Sequence, residues 1–227
     1  VDLDPQANAT MGCGIDKAKL PAGGLYRLLL GEATLEAVRC RSESGGFDVL
    51  PANRELGGAE VELVSAPRRE QRLKDALAEV RADYDLILLD CPPALNLLTL
   101  NGLAAASRVI IPMQCEYYAL EGLSDLVNTL KKARASLNPG IEMLGLLRTM
   151  YDPRFTLSQQ VSAQLQQYFP GKLFETAIPR NVRLAEAPSH GMPALAYDRA
   201  SRGAKAYLAL VEEIAQRLHL TLPKQVG

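Results

Sequence analysis

Short apolar runs alternate along this chain with longer segments of helical period. Two of the runs, LILLD at 86–90 and RVIIPM at 108–113, are almost continuously apolar, as expected of strands that are covered on both faces. Strands separated in this way by helices form a parallel sheet. The sequence therefore predicts an α/β fold, a doubly wound, mostly parallel sheet with helices on both faces. The predicted strands are 1–3, 47–51, 86–90, 109–113, 143–150 and 173–178.

Segments with helical periodicity lie between these strands. In each of them apolar residues recur at spacings of three and four, the pattern of a helix that packs one face on a core. Neither an internal repeat, a low-complexity tract nor a long linker divides the chain, so we expect a single domain over residues 1–227. The predicted helices begin near Pro67, at Ala119, at Thr156 and at Ser201.

Composition is that of an ordinary soluble globular protein. Of the 227 residues 48% are apolar, and there are 25 basic and 26 acidic residues, so the net charge argues neither for nor against nucleic acid as a partner. No stretch approaches the ~18 consecutive apolar residues of a membrane span, which predicts no membrane association. The cysteines are scattered singly and are predicted to be reduced thiols of a cytosolic protein. They are Cys13, Cys40, Cys91 and Cys115.

The segment DYDLILLDCPP at 83–93 places an acid at the end of an apolar run. A strand that ends in Asp90 delivers its carboxylate to the carboxyl edge of a parallel sheet, where such folds bind ligands. In nucleotide hydrolases an acid at this position holds Mg²⁺, usually through water. Pro92 and Pro93 prevent a helix from following directly. An Asp that merely ends a strand gives the same pattern, so the segment alone leaves both interpretations open.

The opening segment VDLDPQANAT carries two acids, Asp2 and Asp4, at alternate positions. On an extended strand they face the same side and can point into one crevice. Two carboxylates placed in this way need a cation or a positive neighbour, because like charges disfavour each other's ionisation. The residues that follow supply further oxygens and amides for ordering water. A solvated turn is the competing interpretation, because Asp, Pro and Asn are typical turn residues.

The segment IPRNVRLAEAPSHGMP at 178–193 places Arg180 and Arg183 at a predicted strand end, where Pro179 stiffens the turn. The backbone there can line a pocket for a base or a phosphate. A local basic cluster follows around the single acid Asp198, and such a cluster can hold a phosphate backbone. A solvated helix face is the competing interpretation. The basic residues of this cluster are Arg199, Arg202 and Lys205.

Together these segments resemble the ParA/Soj chromosome- and plasmid-partitioning ATPases, which belong to the wider MinD-like group with a deviant P-loop. The resemblance covers nearly the whole chain. Its motifs are specific in combination, above all QCEYYALEGL and IPRNVRLAEAPSHG. The matching segments are VDLDPQANAT at 1–10, YDLILLDCPP at 84–93, NGLAAASRVIIPMQCEYYALEGL at 101–123 and IPRNVRLAEAPSHGMP at 178–193.

The resemblance implies roles for the candidate residues. Asp4 matches the acid that helps to position the attacking water, and Asp2 matches the neighbouring site acid. Asp90 matches the acid that reaches Mg²⁺ through water. The segment that borders the adenine is matched by Pro179, Arg180 and Asn181. The residues that fall in the regions used for non-specific DNA binding are Arg183, Arg202 and Lys205.

The resemblance also implies an ATP-driven switch with ATP and Mg²⁺ as cofactors. ATP binding joins two subunits, and the homodimer binds DNA without sequence preference. A ParB-type partner then stimulates hydrolysis, which releases the DNA. The implied location is cytoplasmic, on the nucleoid. Switch loops that relax when the γ-phosphate leaves would couple the chemistry to the release.

One element of the family pattern has no counterpart in the printed sequence. The phosphate-binding loop KGGVGKTT should precede VDLDPQ, and no G-x-x-x-x-G-K occurs. We therefore expect the domain to be N-terminally incomplete by about 30 to 40 residues, one β-loop-α unit. A fragment and a natural truncation are both consistent with this expectation.

Two alternatives remain beside the partitioning ATPase. A truncated paralogue that does not turn over ATP would account for the missing phosphate-binding loop. A MinD-like membrane-cycling ATPase would end in a basic amphipathic helix. The C-terminal HLTLPKQVG is short and interrupted by Pro223, which disfavours the second alternative.

Overall fold

The structure is a computed structural model that describes residues 1–221. Its contacts divide the chain into two compact units. Unit 1 comprises Val1–Ser107, Lys132–Ile141 and Glu186–Tyr197, and unit 2 comprises Arg108–Lys131, Glu142–Ala185 and the described residues from Asp198 onward. The single domain expected over residues 1–227 stays a prediction. Residues 222–227, which include Pro223 of the C-terminal tail, lie outside the described part.

The helices and strands follow the predicted alternation. Three of the predicted helices, those starting at Ala119, Thr156 and Ser201, correspond to α7, α8 and α11 below. The helices are α1 (Asn8–Gly12), α2 (Gly24–Leu30), α3 (Leu35–Val38), α4 (Ala59–Glu62), α5 (Arg72–Ala78), α6 (Leu97–Ala105), α7 (Ala119–Ser136), α8 (Thr156–Tyr168), α9 (Val182–Glu186), α10 (Ala194–Tyr197) and α11 (Arg202–Leu218). The strands are β1 (Cys40–Ser42), β2 (Phe47–Val49), β3 (Arg108–Gln114), β4 (Glu142–Tyr151) and β5 (Leu173–Pro179).

Unit 2 is built on a parallel sheet in the order β3-β4-β5. Neighbouring residues of its strands enter two separate apolar clusters, because successive side chains of a strand point to opposite faces. Leu146 packs in one cluster with Val161 and Leu165 of α8. Leu147 packs in the other with Leu210 of α11. This sheet therefore carries helices on both faces, and the predicted α/β class is confirmed.

Unit 1 contains the two predicted strands 1–3 and 86–90, which lie side by side and parallel. Asp2 and Asp90 form a bridge between them. The N–H of Leu3 donates to the carbonyl of Asp90 at 2.8 Å, and the N–H of Asp90 donates to the carbonyl of Val1 at 2.9 Å. The pairing is one bridge long, and Leu3 enters the core of the unit with Leu25, Leu29 and Leu98.

Two local features differ from the predictions. Strand β2 pairs with β1 as an antiparallel hairpin, which the sequence analysis missed because β1 has three residues, CRS, and no apolar run. The helix expected from Pro67 is shorter, since Arg68 adopts a left-handed conformation (φ 53°) and a 3₁₀ turn, Arg69–Gln71, precedes α5. Short strands and left-handed residues leave no periodic signal.

Among residues 1–221, no helix is both long enough and apolar enough to cross a bilayer.

Candidate functional site

The three acids predicted for the site lie together in unit 1. Asp2 and Asp90 are bridge partners on adjacent parallel segments, and Asp4 lies two residues after Asp2. The surrounding protein removes part of the hydration of the Asp90 carboxylate, and Asp2 and Asp4 repel its charge, so the pKa of Asp90 is raised above its ordinary value. A cation beside these acids would favour the ionised form of Asp90.

Asp2 was predicted as a site acid, and the structure places its side chain inside the protein. Only 1% of Asp2 is exposed. Its Oδ2 accepts hydrogen bonds from the N–H and the hydroxyl of Thr10 at 2.8 and 2.7 Å, and its Oδ1 accepts from the N–H of Asp4 at 3.1 Å. Asp2 therefore organises the loop that follows it.

Asp4 is half-buried at the start of a tight turn. Its Oδ1 accepts a hydrogen bond from the N–H of Gln6 at 2.9 Å, and its carbonyl accepts from the N–H of Ala7 at 2.9 Å. The turn leads directly into α1. The position of the Asp4 carboxylate thus depends on a loop that is fastened at both of its ends.

The loop after Asp90 packs against α6. Cys91 is an exposed residue, yet partial desolvation of its thiol and repulsion by Asp90 raise its pKa to about 11. A Cβ on Gly102 of α6 would stand 2.7 Å from Sγ of Cys91, so the absence of a side chain there permits the close approach. The side chain of Asn96 caps α6 by accepting from the N–H of Thr99 at 3.0 Å.

An apolar groove of about 630 Å³ opens in unit 1 beside Val1, Asp2 and Asp90. Its walls include Leu35, Leu77 and Leu86. The two arginines in its lining are occupied by acids, since Arg39 pairs with Glu36 and Asp48 and Arg41 pairs with Asp48. A groove of this character offers apolar contacts rather than a phosphate site.

The residues predicted to border the adenine lie in unit 2, at the carboxyl end of β5. Pro179 ends that strand opposite Tyr151 of β4. Arg180 is exposed. Asn181 accepts a hydrogen bond from the N–H of Arg183 at 2.9 Å and so stabilises the start of α9. All three residues occupy the edge of the sheet where parallel α/β folds bind ligands.

Two charged side chains that the sequence analysis did not single out set the path of β5. Between Leu173 and Ala177 the strand bulges away from β4. Arg148 donates to the carbonyls of Phe174 and Glu175 at 3.0 and 2.8 Å. Glu213 of α11 accepts from the N–H groups of Glu175 and Thr176 at 2.9 and 3.0 Å. The bulge thus keeps its hydrogen bonds.

The predicted DNA-binding residues also lie in unit 2. Arg183 approaches Asp198 at 3.5 Å, and 53% of its side chain is exposed. Arg202 and Lys205 are exposed in the first turn of α11. Arg202 and Lys205 are therefore accessible to solvent, whereas Arg183 has an acidic neighbour in Asp198.

Comparisons with known proteins show which family the chain resembles. A family described as "AAA domain" matches residues 1–143. The Soj sporulation initiation inhibitor of Bacillus subtilis is 49% identical over 95% of this chain and 85% of its own. The chromosome-partitioning ATPase Soj of Treponema pallidum is 48% identical over 96% of this chain and 84% of its own. The chain belongs to the ParA/Soj family of chromosome-partitioning ATPases.

A solved structure of a similar protein indicates the cofactors. The cobyrinic acid a,c-diamide synthase of Mycobacterium smegmatis, with bound ADP and magnesium, has a TM-score of 0.82 and 34% identity, over 98% of this chain and 85% of its own. By this resemblance the chain is an ATPase that uses ATP and Mg²⁺. The substrate named for the synthase remains a property of that protein.

Of the two cofactors, ATP and Mg²⁺, the described acids suit the Mg²⁺ ion. No group of three His, Cys, Asp or Glu side chains in residues 1–221 is arranged to hold a metal by itself. Asp90, exposed beside two other acids, suits an ion that keeps its waters and takes its remaining ligands from phosphate. The cationic loop that would receive the phosphates is not among the printed residues.

Proposed function

We propose that this protein is the ATP-driven switch of a DNA-partitioning system. In this proposal ATP joins two copies into a dimer, the dimer binds DNA without sequence preference on the nucleoid, and a ParB-type partner stimulates hydrolysis to release it. Family membership and the cluster of site acids support the enzymatic part. The relatives' named role in chromosome partitioning supports the proposal of a dimer, of DNA binding and of a ParB-type partner.

The observation that carries the proposal is the parallel pairing of Asp2 with Asp90, which brings Asp4, two residues after Asp2, into the same acidic cluster. Asp90 is assigned to Mg²⁺ through water, and Asp4 to orientation of the attacking water. Mg²⁺ would supply neutralisation of the phosphate charge that develops during phosphoryl transfer. Asp2 supports the Asp4 loop. In this proposal one acid binds the metal through water, and another orients the nucleophile.

In unit 2, the edge at Pro179, Arg180 and Asn181 is assigned to the adenine. A proline ring offers an apolar surface to a flat base, and the neighbouring backbone offers hydrogen bonds that distinguish one base from another. Arg183, Arg202 and Lys205 are assigned to DNA phosphates. Cations of this kind bind a phosphate backbone without reading its sequence.

The deciding experiment measures steady-state ATP hydrolysis by the complete gene product, and by the 227-residue chain in parallel. We expect Asp4→Ala to lower kcat by about 10²-fold or more, because orientation of the water is lost. We expect Asp90→Asn to raise the Mg²⁺ concentration needed for half-maximal turnover. Asp16→Ala, at an exposed acid of the same unit, is the control and should behave as wild type.

Undiminished hydrolysis in Asp4→Ala would remove the proposed role of that acid. Absence of ATP hydrolysis by the complete wild-type product, in the presence of DNA and a ParB-type partner, would instead favour the non-catalytic paralogue.

A further inference from the structure

Thr10 is the best-anchored side chain of the loop that carries Asp4. It is fully buried, and its hydroxyl contacts two groups at once. Oγ1 lies 2.7 Å from Oδ2 of Asp2 and 2.9 Å from the backbone nitrogen of Ala52. The N–H of Ala52 can only donate, so the hydroxyl accepts that bond and directs its single proton to Asp2. The hydroxyl orientation is therefore fixed by the protein.

The same network continues from Asp2 to Asp4. While Oδ2 of Asp2 receives both donors of Thr10, its Oδ1 accepts the N–H of Asp4 at 3.1 Å. The N–H of Asp2 itself donates to the carbonyl of Leu50 at 3.1 Å. A chain of hydrogen bonds thus runs from the backbone of 50–52 through Thr10 and Asp2 to the backbone of Asp4.

The loop needs such an anchor because its own geometry is costly. Ala7, which precedes α1, has a left-handed backbone with φ 59°, a conformation that residues with a Cβ adopt only when their surroundings enforce it. Helix α1 has five residues and receives no side-chain cap. Thr10 is the buried residue of α1. Burial of Ala7 in the core and a hydrogen bond from Lys17 to the carbonyl of Gln6 at 3.1 Å also hold this turn, and the contacts of Thr10 extend to Asp4 through Asp2.

We infer that Thr10 is a positioning residue for hydrolysis: through Asp2, its buried hydroxyl fixes the backbone of Asp4 and so the carboxylate that orients the attacking water. This inference rests on the proposed function of Asp4. Thr10 itself touches neither nucleotide nor water in this scheme. Its effect is therefore on turnover and not on ATP affinity.

The test compares Thr10→Val with Thr10→Ser in the complete gene product. Valine keeps the shape but removes the hydroxyl, which leaves the Ala52 N–H without its acceptor, while serine keeps the hydroxyl. Binding-competent protein is counted by stoichiometric titration with a non-hydrolysable ATP analogue. Turnover per competent molecule should fall about 10- to 100-fold in Thr10→Val, with KM for ATP within about two-fold of wild type, and should recover in Thr10→Ser.

Two further measurements keep the inference testable if valine impairs folding. Asp2→Asn weakens the same network and should lower turnover per competent molecule as well, without an additive loss in the double variant, because both changes break one chain of contacts. Hydrogen exchange should quicken at the amides of residues 4–12 in either variant. Apart from the Ala52 amide, which loses its acceptor in Thr10→Val, protection elsewhere in unit 1 should stay as in wild type.

The Asp4→Ala variant distinguishes failure of the positioning inference for Thr10 from failure of the proposed role of Asp4. If Asp4→Ala abolishes turnover while Thr10→Val and Asp2→Asn leave turnover per competent molecule unchanged, the positioning inference is overturned and the role of Asp4 stands. If Asp4→Ala leaves turnover intact, the proposed role of Asp4 is overturned and the inference falls with it.

Discussion

Gly14 and Gly191 lie backbone against backbone in unit 1. A Cβ on Gly14 would stand 2.8 Å from the carbonyl oxygen of Gly191, and a Cβ on Gly191 would stand 3.1 Å from Cα of Gly14. Both residues have positive φ, 78° and 62°. The contact fastens the segment after α9 to the end of α1, the helix that holds Thr10.

We expect Gly14→Ala to destabilise the protein more than the left-handed backbone alone explains. The φ of 78° costs an alanine about 1–2 kcal/mol, and the backbone clash should add about 1–3 kcal/mol. Gly46→Ala is the matched control, since Gly46 has φ 70° with no neighbouring atom within 4 Å. Urea unfolding would measure both; equal losses would show that the contact with Gly191 contributes nothing.

Glu213 should make stability depend on acid pH. Loss of hydration opposes its ionisation, but the N–H groups of Thr176 and Glu175 and the guanidinium of Arg217 outweigh that effect and lower the pKa of Glu213. Its stabilising contribution is therefore complete above the unfolded value of about 4.3 and is lost as the pH falls through the lower folded pKa.

Replacement of this side chain tests that dependence. We expect Glu213→Gln to cost about 1–2 kcal/mol at pH 7, because hydrogen bonds to a charged acceptor are lost, and the difference from wild type to shrink towards pH 3. Urea unfolding at pH 7, 4 and 3 provides the measurement. Glu212→Gln, at the exposed neighbour on the same helix, is the control. A difference that stays constant with pH would contradict this account.

Removal of the two exposed cations of α11 should weaken DNA binding for every sequence alike. Each phosphate contact contributes about 0.9 to the slope of log K against log salt concentration, so Arg202→Ala with Lys205→Ala should flatten that slope by up to about 2. Titration of fluorescent duplexes at several salt concentrations with ATP present gives the slope. Lys74→Ala, an exposed cation on α5, is the control, and equal slopes would place the DNA surface elsewhere.

Asn101 should be essential for the stability of unit 1. It is fully buried on α6, where its side chain accepts from the N–H of Leu73 at 3.1 Å and donates to the carbonyls of Arg69 and Leu97 at 2.9 Å each. Asn101→Leu would leave buried backbone groups without partners, at about 1–3 kcal/mol each.

Thermal or urea unfolding of Asn101→Leu would show this cost. Gln164→Leu, at an exposed amide on α8, serves as control and should change stability by no more than about 0.5 kcal/mol. A loss in Asn101→Leu that is no larger than in the control would mean that water replaces the amide's partners.

The sequence was most informative where a pattern is long. Helices α8 and α11 start where their amphipathic period predicts, and β3, β4 and β5 coincide with the predicted strands to within a few residues. The site acids were predictable as neighbours, because parallel strands end at a common edge. The antiparallel hairpin of β1 and β2 was not, because three-residue strands give no periodic signal.

What the sequence determined by itself is the α/β class, the family and the set of chemical groups, since these depend on local periodicity and on motifs contiguous in the chain. Where each of these groups lies, and what it contacts, follows from the tertiary structure. Asp2 and Asp4 stand at alternate positions of one short segment, yet the first is buried against Thr10 and the second is half-buried. Burial and hydrogen bonding arise from residues distant in the chain, such as Ala52 for Thr10 and Glu213 for the β5 bulge, and no local pattern encodes those contacts.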